Sequence, residues 1–220
     1  VNAEGKKMKK IVIFAWLIVL LAFVVSTAVY SMLPDEIASH WNAKGEADDT
    51  MGKFWGLFLM PFTLLGLQVL FMLIPKIDPL KKNFEKFHNY YDGFILFFLL
   101  FMFLIHLHII VWNLGVEINP NIFMPVALGL FFIYAGILCE KAKRNWFVGM
   151  RTPWTLSSDS VWEKTNKRLG KLFKICGVIA ILAAFAGDLA IYIALIPILF
   201  VSLYAFFYSY FLFKKEENTK

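Results

Sequence analysis

Apolar residues in this chain gather into six long runs: Ile11 to Met32, Phe54 to Ile74, Gly93 to Trp112, Ile122 to Cys139, Leu172 to Ala186 and Leu189 to Phe213. A hydrocarbon slab about 30 Å thick takes about 20 apolar helical residues to cross, because lipid cannot satisfy a bare peptide group. The runs therefore predict an all-α polytopic membrane protein with six transmembrane helices. The fifth run is the shortest; Lys171 and Lys174 lengthen it by laying their methylene stems along the slab. Gly187 and Asp188 then make a tight hairpin into the sixth. Ahead of the fifth run, Val161, Thr165, Leu169 and Leu172 form one stripe and Lys164, Lys167, Arg168 and Lys171 another, which predicts a short amphipathic interfacial helix. Ser160 and Glu163 have capping-box spacing at its start. The longest segments outside the runs, Leu33 to Lys53 and Glu140 to Lys171, are too short for a separate water-soluble core, so an appended ATPase, DNA-binding or receiver domain is excluded.

Charge sets the orientation. The amino-terminal tail, the second and fourth connections and the carboxy-terminal tail hold twenty basic and nine acidic residues, whereas the odd-numbered connections hold two basic residues, Lys44 and Lys53, against seven acidic ones. Basic residues resist export, so both termini are predicted to be cytoplasmic and Leu33 to Lys53 external. The net charge of +6 then reports topology and contact with the lipid bilayer, and is no evidence for direct nucleic-acid binding. Met8-Lys9-Lys10 before the first run has the form of a translation start, which would make Val1 to Lys7 an alternative-start extension or added sequence. The first run is too long for a signal-peptide core, and Tyr30, Met32 and Leu33 occupy its exit where small residues would mark cleavage, so it reads as a retained helix.

Hydrolytic chemistry needs a nucleophile with a base, or two acids flanking a bond, and no Walker motif, GxSxG, HExxH or CxxC is present. No catalytic residue, metal or cofactor is expected. Cys139 and Cys176 sit near the cytoplasmic ends of helices, where thiols stay reduced, and read as packing residues without a disulfide.

Polar residues concentrate in three places. The external connection carries His40, Trp41, Asn42, Gly45, Asp48 and Lys53. In one reading Asn42 to Gly45 is a turn with Gly45 at positive φ, Asp48 or Thr50 caps the next helix and Trp41 sits among headgroups. In the other, His40 and Asp48 converge to bind a cation or a cationic peptide. Within the slab, Gln68, His106, His108 and Asn113 are costly to bury and so informative. His106 and Asn113 share a helix face, whereas His106 and His108 point about 200° apart and cannot chelate together. Both histidines lie in the outer half of the third helix, open to an external vestibule, and suit interhelical hydrogen bonding or the sensing of a proton or ligand. Gly52 and Gly56 make a lone GxxxG.

The cytoplasmic connection runs Asn145-Trp-Phe-Val-Gly149-Met-Arg151-Thr152-Pro153-Trp154 and on to Trp162. Gly149 and Pro153 break any continuous helix. Trp146, Trp154 and Trp162 would anchor the segment among headgroups. Arg151, a planar fork of donors, suits a lipid phosphate or a helix carboxyl terminus. The segment is either a structural surface piece or a recognition surface for a partner or lipid.

The stretch Leu33-Pro34, His40-Trp41-Asn42, Gly45, Asp48 and Lys53, followed by Ile74-Pro-Lys-Ile-Asp-Pro79 and Lys82-Asn83, resembles the amino-terminal conserved domain of unknown role in the SdpI family. These are the immunity proteins of the sporulation-delaying-protein toxin system. Asn145, Gly149, Arg151-Thr-Pro-Trp-Thr155, Trp162 and Gly170 resemble that family's carboxy-terminal SdpI domain. Two positions depart from the family pattern: Ala38 stands where proline is usual and Asn166 where histidine is common. The implied organisation is a cytoplasmic tail over 1–10, the amino-terminal family domain with helices one and two over 11–91, helices three and four over 92–139, the SdpI-like domain over 140–213 and a tail over 214–220. The resemblance implies a cell-membrane protein that protects its host from a hydrophobic toxin peptide and, in some members, recruits a cytosolic repressor. The outer loop and the vestibule around His106 would meet the peptide. The rival class is a small transporter or lipid-handling protein in which Arg151 holds a phosphate headgroup. The oligomeric state is left open.

Overall fold

A computed structural model describes residues 3–219, with side chains from Lys10 onward. The translation start at Met8 and the tail lysines Lys6, Lys7 and Lys9 lie outside those described side chains. The elements are α1 (Ala3–Val29), β1 (Glu36–Trp41), β2 (Ala47–Gly52), α2 (Lys53–Ile77), α3 (Lys81–Phe84), α4 (His88–Asn113), α5 (Pro120–Lys141), α6 (Pro153–Ser157), α7 (Asp159–Ala183) and α8 (Ala190–Glu217). Five stretches are long and apolar enough to cross a membrane: Lys10–Met32, Lys53–Ile77, Lys81–Asn113, Pro120–Lys141 and Gly187–Glu217. The protein is a multi-pass membrane protein.

α7 differs from expectation. The amphipathic segment and the fifth apolar run form one unbroken helix, because nothing between Arg168 and Lys174 breaks it and Gly170 is held by packing. Its charged first half keeps it out of the set of apolar spans. The stripe Val161, Thr165 and Leu169 is buried while Lys164, Lys167, Arg168 and Lys171 are exposed. The buried stripe faces protein, so this is no separate interfacial helix. The capping is also displaced: Ser158 caps α7, and the reciprocal capping box is Thr152 with Thr155 around α6, where Pro153 occupies the first turn.

α1 offers a face of small residues, Ala15, Val19, Ala22 and Ser26, all buried, while Ile13, Phe14, Leu17 and Leu20 point outward. That face packs on α2 and α4. Between α4 and α5 the seam is aromatic: Phe94, Phe98 and Phe101 surround Phe131, and Phe97 stacks on Tyr134 at 5.4 Å. α5 and α7 run antiparallel in closest approach. Gly129 faces Gly177 and Gly136 faces Gly170, and a Cβ on either Gly129 or Gly177 would lie 2.5 Å from the other's carbonyl oxygen. In lipid, where apolar burial drives no association, such small-residue contacts and the Cα–H···O contacts they permit hold helices together. Lys174 and Glu140, 2.9 Å apart, tie one end of the same seam.

The connection 33–53 is a two-stranded antiparallel hairpin, a strand element within an otherwise helical chain. Its register pairs Glu36 with Gly52, Ile37 with Met51 and Ala38 with Thr50, with irregularities on either side of His40. Asp48 and Thr50 therefore lie in β2 and do not cap α2, whose N-cap is Gly52 without a side-chain bond.

Candidate functional site

The hairpin is built by Asn42. Its side-chain oxygen accepts from the Lys44 and Glu46 amides at 2.9 and 3.2 Å, and Gly45 turns the chain at φ +81°. His40 Nδ1 and Asp48 Oδ1 meet across the strands at 2.6 Å, both open to solvent. Among the described residues no three His, Cys, Asp or Glu side chains gather as a metal set.

Two asparagines dock this hairpin. The Asn113 side chain accepts from the Ala38 amide at 2.8 Å and donates to the Ala38 carbonyl at 3.0 Å, bonding one residue of β1 as a neighbouring strand would. A proline at position 38 would lack the donor, so Ala38 and Asn113 go together. Asn121 donates to the Ala43 carbonyl at 3.0 Å, and the turn leans on Asn119 and Pro120 so closely that a side chain at Gly45 would strike the Asn119 oxygen at 2.9 Å. Ile37 plugs into the space left at Gly56, which is the use of that glycine. Asn119 and Asn121 escaped sequence reasoning; the Asn-Pro-Asn run at a helix start was their signal.

The two histidines separate as their spacing requires. His106 is fully buried and turned toward α1. Ser26 Oγ donates to the Leu57 carbonyl at 2.9 Å and so accepts from His106 Nε2, also at 2.9 Å, which ties three helices together. This corrects the expected vestibule: it forms around His108, and His106 does not line it. A cleft of about 740 Å³ lies under the hairpin, with Ile105 and His108 of α4, Met124 of α5, and Leu195 and Leu199 of α8 among its walls. His108 is 5% exposed and stacks on Phe123 at 4.8 Å, yet neither ring nitrogen has a partner among the described residues. Trp41 turns inward against His108 and Trp112 rather than outward to headgroups, and its buried indole nitrogen is likewise unpartnered.

Gln68 lines a second cavity, about 520 Å³, at the end of the bundle away from the hairpin. Its side-chain oxygen is buried without a partner among the described residues. Asp92 and His88 lie beside it with Asp92 Oδ2 and His88 Nδ1 3.0 Å apart, and the Tyr91 hydroxyl donates to the Phe71 carbonyl. Asp92 stands just outside the third apolar run, and the i, i+4 spacing from His88 was its signal.

The segment from Ala142 to Trp162 is tied at nearly every step. Asn145 is fully buried, accepting from the Phe147 and Val148 amides and donating to the Lys143 and Val148 carbonyls. Asp78 and Asn83 reach it from the amino-terminal half: Asp78 accepts from the Trp146 amide at 3.0 Å, and Asn83 donates to the Arg144 carbonyl at 2.9 Å. Gly149 adopts φ +98° against the Asn166 side chain, whose oxygen accepts from the Met150 amide at 2.7 Å. Trp162 is buried, with its indole N–H donating to the Ala142 carbonyl. Thr152 meets Ser209 at 3.0 Å, and Trp154 packs on Phe206 and Tyr210 of α8. Trp154 and Trp162 are thus packing residues rather than headgroup anchors; of the three tryptophans, Trp146 is the exposed one. Arg151 is exposed and donates to the Trp146 carbonyl at 2.9 Å.

Residues 17–65 match the family model "Domain of unknown function (DUF1648)", and residues 141–210 match that of the "SdpI/YfhL protein family". The chain is 30% identical over 218 residues to "Immunity protein SdpI" of Bacillus subtilis (strain 168), covering 97% of this chain and all of that protein. No solved structure matches.

Proposed function

Because the chain belongs to the SdpI/YfhL protein family, we propose that it is a membrane immunity protein protecting its host from a membrane-active antimicrobial peptide. The observation that carries this reading is the 30% identity to an immunity protein over 97% of this chain, a match that spans both halves of the molecule. The relative's description as an immunity protein supports a protein that acts by binding rather than by catalysis. In the cell membrane α7 makes the sixth crossing alongside α5, both termini are cytoplasmic, and the hairpin faces outward. The bias of basic residues toward the end opposite the hairpin supports that orientation.

On the cytoplasmic side, the exposed stripe Lys164, Lys167, Arg168 and Lys171, with Arg151 and Trp146, offers a surface for a repressor protein. The direct test is expression in a sensitive host, challenge with the sporulation-delaying toxin peptide and related membrane-active peptides, and a membrane-potential readout. Expressing cells should hold their potential where vector controls lose it. Equal depolarisation across the panel would refute the immunity reading.

A further inference from the structure

At the end of the bundle away from the hairpin, a pocket of about 450 Å³ lies where the segment leading into α4, the end of α5 and the first half of α7 meet. Six cations line it, Lys86, Lys141, Lys143, Arg144, Lys167 and Lys171, against three carboxylates. Each carboxylate is already taken: Asp159 by Arg144 at 2.8 Å, Glu163 by Lys143 at 3.9 Å, and Glu140 at 2.9 Å by Lys174, which is not one of the lining residues. Lys86, Lys141, Lys167 and Lys171 are exposed and have no ion-pair partner among the described residues. The contacts that hold two of them are neutral: Lys86 donates to the Asn83 side-chain oxygen at 3.0 Å, and the Lys141 ammonium lies 5.6 Å from the centre of the Tyr90 ring. Four like charges around one concavity repel one another and concentrate an anion there. Their depth narrows the choice of anion. Counted from the ends of the apolar runs at Gly93, Cys139 and Leu172, the four stand between one and seven residues out, about 2–10 Å along a helix. The headgroup layer is about 5–8 Å thick on each side of a bilayer, and a lysine stem spans the difference. The α7 face that carries Lys171 continues as Ile175, Val178 and Leu182, all exposed and in line at helical spacing. An anion at Lys171 therefore has apolar surface beneath it for acyl chains.

We infer that this pocket holds the headgroup of an anionic phospholipid from the leaflet on that side, with Lys167 and Lys171 reaching the phosphate from α7 and Lys86 and Lys141 reaching it from the ends of α4 and α5. The basic stripe of α7 then divides in two. Lys167 and Lys171 serve the lipid, whereas Arg168 turns to Tyr204 and Tyr208 of α8, 6.0 and 5.9 Å from the ring centres, and Lys164 lines a different hollow with Lys215. That second half stays open to a cytosolic partner. Lys86 belongs to the amino-terminal half of the chain and Lys167 and Lys171 to the part that matches the SdpI/YfhL model, so one shared phosphate fastens the halves to each other. The inference does not rest on the immunity reading, and either can fail without the other.

The test titrates the full chain in detergent with phosphatidylglycerol or phosphatidylcholine, counts lipid adducts by native mass spectrometry and follows thermal unfolding in parallel. Phosphatidylglycerol should bind more tightly than phosphatidylcholine and raise the melting temperature as it saturates. Lys167→Gln/Lys171→Gln, at exposed positions that folding does not need, should weaken phosphatidylglycerol about tenfold to thirtyfold, at about fivefold per lysine, and shrink the thermal shift with it. Lys167→Arg/Lys171→Arg keeps the charge and should bind like wild type. Lys164→Gln/Lys215→Gln removes the same charge on the α8 side and should also bind like wild type. Equal weakening by the two glutamine pairs would reduce the pocket to diffuse surface charge and overturn the inference. Equal binding of the two lipids would overturn it as well. Full displacement of the lipid by inorganic phosphate would mark a free-anion site and overturn the lipid assignment. An acidic cytosolic protein bound in place of the lipid, and lost with Lys167→Gln/Lys171→Gln, would overturn it in favour of a protein partner.

Discussion

Alanine at Gly177 and alanine at Gly66 should have opposite effects. A Cβ at Gly177 would lie 2.5 Å from the Gly129 carbonyl oxygen, 2.7 Å from Ile133 Cγ1 and 3.0 Å from the Ile133 amide nitrogen. Two of those three atoms are backbone and cannot rotate away. Since ordinary contact begins near 3.4 Å, α5 and α7 must part by about 1 Å, a gap that already forfeits a quarter to a half of the dispersion energy along the seam. Overpacking of this kind costs about 1–3 kcal/mol. At Gly66, also within a helix, a Cβ would meet nothing within 4 Å, so alanine should gain about 0.5–1 kcal/mol from backbone entropy alone. At about 2–4 °C per kcal/mol for a chain of this size, the two variants should differ by roughly 3–15 °C in thermal unfolding followed by fluorescence-detected size exclusion. The double variant Gly129→Ala/Gly177→Ala should cost less than the sum of its parts, because the first methyl has already opened the seam for the second. A Gly177→Ala protein melting level with Gly66→Ala would refute the close approach of α5 and α7.

Asn113→Leu removes both bonds to Ala38, and amide exchange across residues 36–42 should quicken about tenfold to a hundredfold; unchanged exchange would mean the hairpin is held by other contacts. Asn166→Ala strands the Met150 amide at a cost of about 1–3 kcal/mol, read as faster proteolysis between Phe147 and Thr152, and equal cutting rates would remove Asn166 from the loop's supports. Cysteines placed singly at Ala47 and Ser157, both exposed, should react with an impermeant maleimide in intact cells only at Ala47, with buried Cys139 and Cys176 silent; the reverse pattern overturns the orientation. Arg151→Lys should impair protection nearly as much as Arg151→Ala at equal membrane abundance if the guanidinium fork organises the loop. Full protection by the lysine variant would reduce Arg151 to a surface charge, worth about 1 kcal/mol to anionic lipid for either residue.

Much of the fold was legible because lipid imposes one demand on every crossing segment, and the apolar runs answer it. The divergence of His106 and His108 was legible too, since 100° per residue separates positions two apart on any helix. Which of them faced the cleft was not, because that depends on the small face of α1 and the position of Ser26. The hairpin left little trace in sequence: β2, Ala-Asp-Asp-Thr-Met-Gly, has no apolar alternation, and its strand form depends on Asn113, Asn121 and the seat for Ile37 at Gly56. The joining of the amphipathic segment to the fifth run was hidden by its charges. The seven-residue spacing of Gly129 with Gly136 and of Gly170 with Gly177 was visible in the sequence, but the meaning of each pair lay in the other. The cytoplasmic motif was recognisable as a unit, yet most of its residues turn out to be spent on holding one another.

The clamp on Ala38 also sets a timetable for synthesis. Asn113 lies 75 residues downstream of Ala38, and Asn121 lies 78 downstream of Ala43. At about 5–20 residues per second, the hairpin segment waits roughly 4–15 s between its own emergence and that of the side chains that dock it. A lone two-stranded hairpin is marginal in water, and through that interval the β1 edge later covered by Asn113 stands open to any other strand. The strands that wait are short and carry Glu36, Asp48 and Asp49, charges that disfavour pairing of the open edge with a second strand.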